Sequence, residues 1–222
     1  MTLVPPAIDV RAEFGRVRAA TEALAAPLSP EDQVVQSMPD VSPTKWHRAH
    51  TTWFFETFVL GPHAAGYRTY DRDFEYLFNS YYEQVGPRHP RPERVLVSRP
   101  SVAEVAEYRR RVDAAVLALL DGPGGDDRAV ARVVELGVHH EQQHQELLLM
   151  DIKHVLSCNP LLPAYRADGP AVEAEVHLDP PRWVEHPGGL AEIGHDATGF
   201  AFDNEGPRHR VVVEPFRVAD RL

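Results

Sequence analysis

Apolar residues recur along the first 160 positions at alternating steps of three and four, the rhythm of helices that bury one face. Residues 9 to 25 read as a first amphipathic helix, and a short helical turn opens at Ser29 with Asp32 three residues on in a capping-box arrangement. A second helix starts at Ser42-Pro43, with the serine as cap and the proline in the first turn, where its missing N–H costs nothing. Its stripe is Trp46, His50, Trp53, Thr57 and Leu60. Ser101 with Glu104 caps a third helix whose Val102, Val105, Val112, Val116 and Leu119 face a core, and the Gly122 to Gly125 run ends it. The fourth runs from about Asp127 to Ser157 and stops before Asn159-Pro160; Val130, Val133, Gly137, His140, His144, Leu147 and Asp151 form its inward stripe. Four helices with inward-facing ligands indicate a mainly α protein, a metal-binding bundle.

Two stretches break the helical rhythm. Residues 61 to 100, rich in Gly, Pro, Tyr and Arg, read as an irregular connection too long for an ordinary bundle, which marks them as functional. Beyond residue 160, Leu190-Ala191-Glu192-Ile193 and Val211-Val212-Val213 read as short strands between Gly-containing loops. Expected domains are therefore a helical metal-binding unit over 1–160, a linker over 161–178 and, over 179–222, the start of a second domain too short to close its own core.

Composition narrows the class. With 222 residues, 43% hydrophobic and 9% aromatic, the chain can bury one sizeable core and part of another. A net charge of −10 argues against nucleic acid as a partner, and the Arg109-Arg110-Arg111 run reads as a solvated helix face. No cationic leader is followed by an apolar run, and no stretch approaches the roughly 18 apolar residues of a membrane span, so a cytoplasmic protein without membrane contact is expected. A single cysteine, Cys158, allows no internal disulfide; its expected role is that of a small hydrophobe at a helix end.

His140 and His144 stand one helical turn apart on one face, about 6 Å along the axis, which is chelating geometry. On periodicity His50 is the third imidazole; His47, one turn earlier, sits at the margin of the stripe. Three histidines with open positions suit catalytic zinc, whereas non-haem iron more often takes two histidines and a carboxylate, so ligand chemistry leaves the metal open. Glu141 and Asp151 are helix-surface residues or partners that orient an imidazole, and neither is assigned as a ligand.

Four segments carry a resemblance: Trp46-His47-Arg48-Ala49-His50-Thr51-Thr52-Trp53-Phe54-Phe55-Glu56, Phe78-Asn79-Ser80-Tyr81-Tyr82, His140-Glu141-Gln142-Gln143-His144-Gln145-Glu146 and Phe200-Ala201-Phe202-Asp203-Asn204-Glu205. In this order they resemble the sulfoxide synthases of ergothioneine biosynthesis, the EgtB family. The resemblance implies a DinB-like four-helix bundle followed by the beginning of an α+β formylglycine-generating-enzyme-like domain, the sulfatase-modifying-factor fold related to C-type lectins. It implies ferrous iron held by His50, His140 and His144, and so selects His50 over His47 and iron over zinc. The implied reaction is oxygen-dependent: the thiol of γ-glutamylcysteine, or of cysteine, is joined to the imidazole of hercynine and the sulfur becomes a sulfoxide. Arg88 and Arg91, in Gly86-Pro87-Arg88-His89-Pro90-Arg91-Pro92, resemble the arginines that hold the thiol substrate's carboxylates. The family's second domain continues far beyond the equivalent of Leu222 and carries its catalytic tyrosine and much of the hercynine pocket. This chain is accordingly expected to carry part of an active site; a natural truncation, an incomplete record and a missing domain supplied as a separate chain are the alternatives left open. The rival readings are a zinc-dependent DinB-like thiol transferase and a non-catalytic fragment or subunit that needs a partner chain.

Overall fold

The computed structural model describes residues 9–82, 85–122, 124–167 and 180–221. It is mainly helical. The helices belong to one compact unit and the strands to another.

The helical unit contains α1 (Val10–Ala25), α2 (Thr44–Phe55), α3 (Gly61–His63), α4 (Asp73–Phe78), α5 (Val102–Leu120) and α6 (Arg128–Cys158). Local chemistry sets the ends of the long helices. The Asp9 carboxylate accepts from the Ala12 N–H at the start of α1, Ser101 and Glu104 form a reciprocal capping box on α5, and Asp127 accepts from the Ala129 N–H on α6. Ser42 does not cap α2 as expected. Pro43 occupies the cap position, and the Ser42 N–H and hydroxyl are engaged by Asp151 and Arg94 instead.

Helix α1 packs on α6, and α2 packs on both α5 and α6. Every residue of α2 is buried as a result. A π-helical turn, Glu56–Leu60, extends it, and the buried Glu56 carboxylate accepts from the Tyr67 and Tyr108 hydroxyls, both at 2.6 Å. The region between α2 and α5 is more ordered than its composition suggested. Helices α3 and α4 and a 3-10 turn at Arg91–Leu96 break it up, and Phe74 and Phe78 of α4 join the core because they stand one turn apart on its inner face.

The buried stripe of α6 is rotated from the expected one. Val130, Val134, Gly137, Val138, Glu141, Leu148 and Ile152 are its deepest residues, while His140, His144 and Leu147 lie beside them, half-buried. Glu141 is responsible. Its carboxylate is fully buried and ion-paired to Arg18 of α1 at 2.7 Å and to Arg109 of α5 at 3.0 Å, and it also accepts from the Thr21 hydroxyl at 2.6 Å. Arg109 therefore does not belong to a solvated face, although Arg110 and Arg111 are exposed. Cys158, at the end of α6, is exposed rather than packed as a small hydrophobe.

The second unit holds two antiparallel two-stranded sheets. β1 (Trp183–His186) pairs with β4 (Phe216–Ala219), with Trp183 opposite Ala219, and β2 (Gly189–Ile193) pairs with β3 (His209–Val213), with Ala191 opposite Val211. Trp183, Leu190, Ile193, Val212 and Phe216 are exposed on these strands. Among the described residues, no helix is long and apolar enough to cross a membrane.

Candidate metal centre

Three imidazoles converge where α2 meets α6. One ring nitrogen from each of His50, His140 and His144 lies within 4.8 Å of the other two. The Nε2 atoms of His50 and His140 are 3.2 Å apart. Two nitrogens each about 2.1 Å from a common ion stand roughly 3.0–3.4 Å apart in octahedral or tetrahedral geometry, so this pair is at chelating separation. The three rings fit a metal ion.

The approach of the two helices depends on Gly137, one turn before His140. A Cβ there would meet the Phe55 ring at 2.5 Å and the Phe54 ring at 2.8 Å. The missing side chain is what lets α6 lie close enough to α2 for histidines on both to converge.

His50 is locked from several sides. Its ring is stacked between Trp46 and Trp53, with centroids 4.6 and 5.6 Å away. Its Nδ1 lies 2.6 Å from the Phe78 carbonyl of α4. A carbonyl only accepts, so Nδ1 carries the proton and Nε2 presents its lone pair towards His140. His140 Nδ1 is buried without a hydrogen-bond partner among the described residues. Burial pushes His140 down to about 4, and burial together with the neighbouring imidazoles holds His50 and His144 well below the usual histidine range. Neutral imidazoles are the ligating form.

His47 is not marginal. It is buried, its Nδ1 stands 2.9 Å from Nδ1 of His144, and its Nε2 lies 2.9 Å from the Asp151 carboxylate.

A cavity of about 270 Å³ opens over the cluster, lined by the three histidines, Tyr82, Gln143, Arg91 and Arg94 among others. The expected substrate arginines divide between two spaces. Arg91 lines this cavity, whereas Arg88 lines an adjoining one of about 430 Å³ that it shares with Arg91 and Arg94. Arg88 donates to the Ser80 carbonyl at 2.5 Å and lies over the Tyr81 ring, while Arg91 donates to the Tyr81 hydroxyl at 3.0 Å and to the Asp40 carbonyl. Arg94 escaped the sequence reading. It is buried, lies 3.3 Å above the Trp46 ring, donates to the Ser42 hydroxyl at 2.7 Å, and is pushed down to about 9 by burial and by the charges of Arg91 and Arg88. Three guanidiniums beside a cluster of neutral imidazoles make a cationic wall suited to an anionic ligand.

No curated protein matches the chain significantly. The sequence profile of the DinB superfamily matches residues 13–148, more than half the chain and the part that carries most of α1, all of α2 and α5 and all three histidines. The chain belongs to the DinB superfamily.

Proposed function

We propose that this protein is a ferrous-iron enzyme that forms a carbon–sulfur bond between the hercynine imidazole and the thiol of γ-glutamylcysteine or cysteine, with oxidation of the sulfur to the sulfoxide. The observation that carries this reading is the placement of Arg91 and Arg94 on the same cavity wall as His50, His140 and His144. A thiol delivered to the histidines would bring its carboxylates to those arginines.

Ferrous iron held by the three imidazoles would supply the redox chemistry with dioxygen and open positions at which thiol and imidazole substrates come together. The rest falls to the chain. Arg91 and Arg94 bind a carboxylate, and the guanidinium fork fixes its direction. Trp46 and Leu147 wall the cavity with apolar surface and limit water beside the cluster. In this reading the strand-bearing unit belongs to a formylglycine-generating-enzyme-like domain, and Arg88 extends the carboxylate site into the adjoining cavity.

A second reading is a zinc-dependent thiol transferase, favoured by a donor set of three neutral imidazoles. Anaerobic loading with ferrous iron or with zinc, followed by hercynine, γ-glutamylcysteine and oxygen, separates the two. Mass analysis should find the sulfoxide only after iron loading. Thiol transfer supported by zinc alone would favour the rival.

A further inference from the structure

We propose that His47 and Asp151 are positioning residues that fix which nitrogen His144 offers to the metal; this rests on the reading of the three histidines as a metal centre. The Asp151 Oδ2 atom lies 2.8 Å from the Ser42 N–H and 2.9 Å from His47 Nε2. A backbone N–H can only donate and a carboxylate only accepts, so His47 Nε2 carries the hydrogen that points at Asp151. A neutral imidazole has one hydrogen, which leaves His47 Nδ1 as an acceptor. Its neighbour at 2.9 Å is His144 Nδ1, and two acceptors do not sit at that distance. His144 therefore carries its hydrogen on Nδ1 and turns the Nε2 lone pair to the cluster.

The relay Ser42–Asp151–His47–His144 thus does for α6 what the Phe78 carbonyl does for His50 on α2. Both rings present Nε2, one set by a backbone carbonyl and the other by a buried carboxylate acting through a second imidazole. Partners of this kind typically change metal affinity roughly 10- to 100-fold when removed.

The experiment pairs a direct reading of the hydrogens with a test of affinity. Long-range proton–nitrogen NMR of the histidine-labelled, metal-free chain should find His47 protonated at Nε2 and His144 at Nδ1; the opposite pair of tautomers overturns the relay. Cobalt(II), whose visible bands report coordination, is then titrated into variants. His47→Phe should bind it roughly 10- to 100-fold more weakly. His47→Gln should restore most of the affinity, because its amide oxygen can accept from His144 while its NH₂ donates to Asp151. His144→Ala serves as the control. If it keeps full affinity, the metal centre itself is misassigned; if it loses affinity while His47→Phe does not, the centre stands and the relay is wrong.

Discussion

Gly137 of α6 faces Phe55 of α2 so closely that a Cβ would lie 2.5 Å from the ring. Phe55 is fully buried and packs edge-on to Phe14, 4.9 Å between centroids, so it has nowhere to retreat. Gly137→Ala should therefore push α6 away from α2, at about 1–3 kcal/mol of stability. Because His140 and His144 ride on α6 and His50 on α2, the same shift should widen the 3.2 Å gap between His50 and His140 and weaken metal binding. Chemical denaturation and a metal titration of the variant check both effects, and an unchanged midpoint with unchanged affinity would show that the helices have slack.

Glu141 makes stability sensitive to acid. Burial alone would raise its carboxyl, but Arg18 and Arg109, with the Thr21 hydroxyl, hold it down at about 2, below its ordinary 4.5. A folded pKa below the unfolded one gives stabilisation that is complete above about pH 4.5 and is lost as pH falls from there through about 2. The wild-type chain should lose helical signal across that window. Glu141→Gln should cost about 3–5 kcal/mol at neutral pH, since it breaks a fully buried ion pair and leaves Arg18 and Arg109 only Asp113 and Glu22 as carboxylate partners, and should flatten the acid dependence. Circular dichroism against pH would expose a mistake in this account if the variant and wild type titrated in parallel.

What could be read from the chain, and what could not, follows from which information is local. Helices α1, α2, α5 and α6 announced themselves because an amphipathic period is a property of neighbouring positions, as is the Ser101–Glu104 cap of α5, whereas the Ser42 cap read for α2 was drawn away by Asp151 and Arg94. The pairing of His140 with His144 was legible for the same reason. Glu141, Arg109 and Arg18 were not, because a charged residue in a core looks like a surface one until its partners on other helices are known. His47 and Asp151 are 104 positions apart, and no local pattern joins them. Arg94 lies one turn beyond Arg91 in a 3-10 segment, a weak hint that acquires meaning only when Trp46 is found beneath it.

His50 depends on a backbone atom, which makes a different kind of prediction. The Phe78 carbonyl that receives its Nδ1 hydrogen is held in place by the burial of the Phe78 side chain against Phe74, 5.1 Å between centroids. Phe78→Ala should cost about 3–5 kcal/mol as a core truncation. It should also loosen the carbonyl and lower metal affinity, though no ligand has been touched. Phe74→Leu, which preserves most of the apolar volume, should leave affinity close to wild type. Equal loss of affinity in both variants would mean that general softening of α4, rather than the carbonyl, governs the site.

The arginines should separate by cavity. Arg91 lines the space above the histidines, whereas among the described residues Arg88 lines the adjoining one and not that space, and already gives a hydrogen to the Ser80 carbonyl at 2.5 Å. A carboxylate clamp acts on one substrate, so in the iron-loaded protein Arg91→Ala should weaken binding of γ-glutamylcysteine and leave that of hercynine nearly unchanged. The loss expected for a charge-assisted contact is about 1.5–3 kcal/mol, or roughly 10- to 150-fold. Arg88→Ala should cost less, because part of its role is to hold the Ser80 loop. Arg94→Lys keeps the charge but gives up the flat contact with Trp46, 3.3 Å below, and the fork that reaches Ser42. It should therefore weaken thiol binding despite conserving charge. Calorimetric titration of the three variants with each substrate separates these outcomes: if Arg91→Ala weakened both substrates equally, the loop would be a structural support of the cavity rather than a carboxylate site.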